Sequence, residues 1–319
     1  MPITIRFLLI FLVLSVSNLA CAAASTACPP AASLPTDEMI QKGMRNAIDR
    51  GFLWRISKDG RTSYLYGTIH VGKLEWVFPG PKVSEALRDT DTVALELDDM
   101  DEDIRKRMAK GMDAARKTDL PATLKSRIQR QAELVCVPYA SIARLSPEFQ
   151  IEVLTMMVGR QDGLDAEYAI DAALAGIGHS SRKNMVSLET PELQLSLLQM
   201  QTPQKTIAFV QDGLNEMETG KTRSLLQRIA RTWASSDYDE MSHFFDWCGC
   251  IDTEIRREVM RRVLDMRNPG MADRIDELHA SGKQVFAAVG SLHMFGPNGL
   301  PALLKKRGYR VEQADLMQQ

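Results

Sequence analysis

An apolar, strand-like run ending in Gly-x-x-His occurs twice in this chain. The first, residues 64–70, reads Tyr-Leu-Tyr-Gly-Thr-Ile-His; the second, residues 285–293, reads Val-Phe-Ala-Ala-Val-Gly-Ser-Leu-His. A glycine lets the backbone turn as a strand finishes, and a histidine three residues on then projects from the strand's mouth. In both copies a polar or Gly/Pro-rich link follows, then a helix-like run (81–89 and 299–306), then another strand (92–98 and 309–313). With 20 Gly and 5 His in 319 residues, about 0.3 Gly-x-x-His matches arise by chance, against three found. The third, from Gly176 to His179, follows a helical stretch and lacks the shared context. A strand–Gly-x-x-His–helix–strand unit present twice points to an internal duplication, with His70 and His293 as two halves of one site.

The rest of the chain is organised around these units. A helix is expected over 37–50, ending at Gly51, and strands 53–57 and 63–67 form a hairpin around Lys58-Asp59-Gly60. Residues from about 101 to 283 carry helical spacing, broken at Pro121, Pro138, Pro147, Gly163, Pro191, Pro203, Gly220 and Gly249 and by one short strand at 184–189. Strands at both ends enclosing a helical middle make an α/β fold with a long helical insertion, read as a single domain over 37–319. No repeat of solenoid period recurs.

The first 22 residues read as an export signal. Arg6 supplies the positive region, residues 7–16 a ten-residue apolar stretch, and residues 17–24 small-residue cleavage sites. Ten apolar residues are too few to span a bilayer, and no later run reaches the ~18–20 that a transmembrane helix needs. The expected location is periplasmic or secreted, with Cys21 as an alternative lipid-attachment point. Residues 23–36, rich in Ala, Pro and Ser, read as a tether. Removal of Cys21 with the signal leaves Cys28, Cys136, Cys248 and Cys250. An even set in an oxidising compartment implies disulfides. With only Gly249 between them, Cys248 and Cys250 are poorly spaced to bond one another, so each is expected to reach Cys28 or Cys136. A Cys-x-Cys metal clip is the competing reading.

A formal charge of −2 and a pI near 6.3 leave no electrostatic footprint for nucleic acid, and no basic run forms a binding arm. The chemistry must come from elsewhere. In the strand 92–98, alternation puts Val93, Leu95 and Leu97 on one face and Glu96 and Asp98 on the other, near the strand's end. A carboxylate among apolar neighbours is costly unless paired. Ligand clefts of α/β sheets lie beyond the carboxyl ends of their strands, where His70, His293 and Glu96 are all expected. Two imidazoles and a carboxylate make an open site for a divalent transition metal such as Mn, Co or Zn. Glu189, ending the strand 184–189, is a candidate further ligand or general base, and Arg267, at a helix end before Pro269-Gly270, a candidate oxyanion stabiliser. Asp165 and Glu167 either line the cleft or begin a helix. His243 is expected in core packing and His279 at an exposed helix end. No Gly-x-Ser-x-Gly, P-loop, His-Glu-x-x-His or dinucleotide motif is present.

The segments 65–70, 94–98 and 289–293, together with Gly296–Leu300, Lys306–Val311, Ser187–Thr190 and Arg267-Asn268, resemble the TraB/GumN family. The likeness covers about 53–311. It implies a pair of small, pseudo-repeated β-sheets surrounded by helices. The family includes Tiki-type proteases that are metal-dependent and use both Gly-x-x-His histidines and a glutamate. Carried over, this implies His70, Glu96 and His293 as metal-site residues, with Arg267 nearby, acting on a peptide or small-molecule substrate. Wider relatives include erythromycin-esterase-like hydrolases and haem-binding lipoproteins, so the alternatives are a metal-free hydrolase with a histidine base and a non-catalytic binder of haem or peptide.

Overall fold

The computed structural model describes residues 28–115 and 117–316. The export signal, Cys21 and the first part of the tether lie outside them. The first hairpin forms because Asp59 and Gly60 both take positive φ, 51° and 74°, the two-residue turn that matches strand twist. It joins β1 (Phe52–Lys58) to β2 (Arg61–Thr68) in antiparallel register, Lys58 opposite Arg61. The remaining strands are β3 (Thr92–Leu95), β4 (Asn184–Ser187), β5 (Val285–Gly290) and β6 (Arg310–Gln313).

All six join one mixed sheet in the order β4-β3-β5-β2-β1-β6. Only β1 runs against the other five. The α/β class with surrounding helices agrees with the sequence reading. The two Gly-x-x-His units, however, share this single sheet and do not form two separate ones, because β2 and β5 pair in parallel at its centre, Tyr64 opposite Phe286 and Gly67 opposite Val289. Each unit is a crossover: β2 passes through the helix Pro81–Arg88 to β3, and β5 through the helix Leu300–Lys306 to β6. Central strands are buried on both faces, as parallel strands covered by helices must be. Val285 to Val289 are fully enclosed, and so is every residue of β3. Alternation in β3 therefore does not separate an inner from an outer face.

The helical middle folds as its breaks foretell. Pro147, Pro191 and Pro203 open helices, Pro121, Pro138 and Gly220 precede them, and Gly163 closes a short turn with φ 72°. These helices enclose a second core around Ile128, Leu154, Val210 and Leu214, apart from the sheet. The first helix is shorter than expected, Asp37–Arg45, ended at Asn46. No helix of the described residues is long and apolar enough to cross a membrane.

The disulfides overturn the expected pairing. Cys28 bonds Cys136, and Cys248 bonds Cys250. Gly249 makes the short bridge possible: at φ 63° it folds the three-residue segment so that the two Cα atoms lie 5.0 Å apart, inside the range a disulfide spans.

Candidate functional site

Of the five residues expected to carry the metal site and its chemistry, four follow the carboxyl ends of four adjacent parallel strands. Across β4-β3-β5-β2 these are Glu189, Glu96, His293 and His70. The geometry of a parallel sheet puts consecutive strand ends side by side, so residues up to 223 positions apart in sequence meet at one mouth. The fifth, Arg267, comes from a helix junction. The π-helical turn Arg261–Asp265 interrupts the helix before it, and Arg267 then caps the helix Asn268–Ala280. Such turns shift side-chain register and recur at functional sites.

The motif glycines act through space, not through backbone freedom. Neither Gly67 nor Gly290 has positive φ. A β-carbon on Gly67 would lie 3.0 Å from Ser291 Oγ and 3.2 Å from Ser291 Cα, so its absence lets the two histidine loops touch. Ser291 Oγ then donates to Thr68 O at 2.7 Å, stitching one loop to the other. A β-carbon on Gly290 would stand in the site itself, 3.3 Å from Glu96 Oε1, 3.5 Å from His70 Nε2 and 3.6 Å from His293 Cδ2. These three side chains thus surround one small hollow, and the imidazole atoms named lie within about 7 Å of each other by those distances.

Arg267 binds the carboxylates together. Its Nε donates to Glu189 Oε1 at 3.0 Å, and its Nη2 reaches both Glu189 Oε2, at 2.5 Å, and Glu96 Oε2. Gln194 adds a bond to Glu189 Oε2 at 3.1 Å and one to Glu96 Oε2 at 3.3 Å. The other oxygen of Glu96 accepts the Gly290 N–H at 2.8 Å. Burial alone would raise the Glu96 carboxyl, but Arg267, the two imidazoles and the Gly290 N–H hold it well below the usual carboxylate range. Glu96 is therefore an anion, with Oε1 facing the hollow.

The two histidines are oriented differently. His70 donates from Nδ1 to Asp171 Oδ2 at 2.8 Å, and Thr68 Oγ1 holds the other Asp171 oxygen. The Asp171 carboxylate, against some desolvation, raises His70 to about 9. His293 donates from Nδ1 to Asn268 Oδ1 at 2.5 Å; the Asn268 amide nitrogen donates to Asn298 O, which fixes which end of the amide faces the ring. Burial lowers His293 to about 4, leaving a neutral ring whose Nε2 lone pair faces Glu96 Oε1 at 3.7 Å.

As a metal site, the donor set fits in kind. Both rings have their Nδ1 atoms tied by an outer partner and present Nε2, the usual arrangement of ligating histidines. Donors 3.7 Å apart, as His293 Nε2 and Glu96 Oε1 are, can share one ion at bond lengths of about 2.0–2.2 Å. Among the described residues, no group of three or more His, Cys, Asp or Glu is arranged to hold a metal ion, so His70, His293 and Glu96 fit in donor kind only.

Asp171, Asn268, Gln194 and Asp99 escaped the sequence reading as site residues. Asn268 enters the sequence reading only beside Arg267, as part of the family-like Arg267-Asn268 pair; Asp171 stands in the first turn of the helix Ile170–Ser180, where it reads as an ordinary helix-start acid. Burial, then Asp171 and Asp98, pushes Asp99 up to about 6. Other candidates lie elsewhere. Asp98 turns to His179, Oδ2 accepting from Nε2 at 2.8 Å. Asp165 caps a short turn by accepting from Glu167 N at 3.0 Å. His243 and His279 reverse their expected settings: His243 is exposed and bonds Asp239 O, whereas His279 is buried between Ser63 Oγ and Lys58 O.

The chain matches the TraB/PrgY/gumN family over residues 52–313, from the first residue of β1 to the last of β6. It belongs to that family. Uncharacterized protein YbaP of Shigella flexneri and that of Escherichia coli (strain K12) are each 24% identical over 246 residues, 77% of this chain and 88% of theirs. No solved structure matches. The TraB/PrgY/gumN match covers the whole sheet, and with it all five residues of the strand-end cluster.

Proposed function

We propose that this family member is an exported, metal-dependent hydrolase acting on peptide bonds, with His70, Glu96 and His293 holding a divalent ion such as Mn, Co or Zn. The observation that supports this reading is the hollow at Gly290, where one ionised carboxylate and two oriented imidazoles converge at the carboxyl ends of adjacent strands. When bound, such an ion acidifies water and polarises a carbonyl. The chain's own groups do the rest. Asp171 and Asn268 hold the Nδ1 protons, so both Nε2 atoms face inward. Arg267 supplies positive charge where a carbonyl oxygen develops negative charge. Glu189 and Gln194 keep that guanidinium in place, and Glu189 is the nearby carboxylate for proton transfer.

A second reading rests on the Asp171–His70 pair, 2.8 Å apart with His70 Nε2 open to the hollow: an esterase-like hydrolase without metal. In it His70, raised to about 9, is the general base once deprotonated, so that activity climbs as pH approaches 9. The experiment is metal analysis of protein purified without chelator, paired with cleavage of a peptide library before and after dialysis against EDTA. About one ion per chain, lost together with cleavage in His70→Ala and His293→Ala, is the expected result. Undiminished cleavage by metal-free protein supports the Asp171–His70 base. No turnover of peptides or esters, with a sharp Soret band on adding haem, replaces hydrolysis with ligand binding.

A further inference from the structure

We propose that the Cys248–Cys250 disulfide is a thiol–disulfide exchange site whose partner is a reduced, cysteine-bearing polypeptide. It lies in the helical insertion, outside the strand-end cluster, and the hydrolase reading does not use it.

The bond is placed for exchange in three respects. First, it closes a loop of separation 2, whereas Cys28–Cys136 closes one of 108. A cross-link confines the unfolded chain less as its loop shortens, so the short bridge stabilises the fold less and opens at less cost. Secondly, the segment is held whether or not the bond exists. Arg256 Nη1 donates to Gly249 O at 2.9 Å, and Arg256 is itself fixed by Asp212 at 2.6 Å and Glu216 at 3.0 Å. Arg228 stacks over the Trp247 ring at 4.1 Å. These contacts anchor the backbone on both sides of the bond through groups other than the sulfurs. Thirdly, the sulfurs differ. Cys248 is buried, and its Sγ accepts the Cys250 N–H at 3.0 Å, a contact that steadies a thiolate there. Cys250 is half-buried and lines a cavity of about 230 Å³ with Phe209, Ile255, Val259 and Met260. A second cavity, about 320 Å³, opens on the Cys248 side beside Lys221 and Trp247.

These asymmetries assign the roles. A substrate thiolate attacks Cys250 Sγ; a substrate–Cys250 bond forms, the Cys248–Cys250 bond breaks, and Cys248 leaves as the thiolate held by the Cys250 N–H. A second substrate thiolate then attacks the substrate sulfur of the mixed disulfide and releases Cys250. The substrate dithiol is oxidised to a disulfide, Cys248 and Cys250 are reduced by the same two electrons, and the two substrate protons end on the two cysteine thiols. A polypeptide is the fitting partner because Phe245 and Ile251, flanking the pair in sequence at 46% and 37% exposure, present apolar side chains to solvent, and Cys250 itself opens on a cavity lined by Phe209, Ile255, Val259 and Met260 together with charged residues.

The test mixes the oxidised full chain with reduced ribonuclease A under nitrogen, then alkylates and maps free thiols by mass spectrometry. Expected are thiols at Cys248 and Cys250 matching the disulfides gained by the probe, and loss of transfer to the no-protein level in Cys250→Ser. Phe245→Ser combined with Ile251→Ser slows transfer to the polypeptide at least tenfold while leaving exchange with reduced glutathione unchanged. His70→Ala keeps full exchange, which separates this site from the hydrolase reading. Thiols appearing at Cys28 and Cys136 instead, or undiminished transfer in Cys250→Ser, overturn the exchange site. Equal rates with glutathione and polypeptide overturn the partner. Mapping on the unaltered protein needs no variant to fold.

Discussion

His70 and His293 arise from the same Gly-x-x-His device on paired parallel strands, yet their environments are opposite. The His70 side chain is 56% exposed and leans on a carboxylate; that of His293 is 4% exposed and leans on an amide. Asp171 raises the first to about 9, and burial lowers the second to about 4. A motif therefore sets where a histidine stands, and the helix packed behind it sets what charge it carries. Around Glu96 the result is one cationic and one neutral imidazole in the metal-free protein, His70 turning Nε2 and His293 its Cδ2 edge to the hollow at Gly290, with His293 Nε2 3.7 Å from Glu96 Oε1.

The strongest way to break this pair is through the group they share. Arg267→Ala leaves Glu96 and Glu189 side by side, buried and without their counter-charge; we expect a loss of about 3–5 kcal/mol in urea unfolding. Conversion of Glu189 to Gln in the same chain recovers part of it. The glycines separate packing from chemistry. Gly67→Ala pushes a methyl group onto the Ser291 backbone and is expected to cost about 1–3 kcal/mol. Gly290→Ala keeps the melting temperature within a few degrees and abolishes metal uptake, measured by metal analysis, because its methyl group occupies the hollow.

The two titrations sharpen the contrast from opposite sides of neutrality in chelator-treated protein. For His293 the folded value, about 4, lies below the ordinary 6.5, so the unfolded chain binds more protons between them. Its contribution is present above about 6.5 and lost as pH falls through 4. His293→Gln should flatten the acid limb of stability against pH by about 1–3 kcal/mol. For His70 the order is reversed: its contribution is present below about 6.5 and lost as pH rises through 9. The smallest and most local effect is Asp171→Asn, which gives His70 the same kind of partner as His293. A fall of about 1–3 units in the His70 titration midpoint, followed by proton NMR, is expected.

Much of the cluster was legible because strand ends and helix ends are local properties. His70, Glu96, Glu189 and His293 each follow an apolar run, and parallel strands deliver such ends to one side. The π-helical turn ahead of Arg267 and the bond from Asp171 to His70 were not legible, since neither leaves a periodic trace. His243 and His279 are placed the wrong way round by the sequence for the same reason: Phe244 packs inward while the His243 ring faces out, and His279 is covered by a hairpin more than 200 residues earlier.

By itself the sequence determined the elements: period-2 runs, proline and glycine breaks, the Asp-Gly hairpin, and a duplicated unit that commits the chain to an α/β sheet. Tertiary structure alone decided that both units share one sheet, that Cys248 bonds Cys250 across a left-handed glycine, and that one imidazole meets a carboxylate and the other an amide. The reason is range. Backbone preference and hydrophobic period act over a few residues, whereas hydrogen-bond partners and burial are set by which distant surfaces pack together.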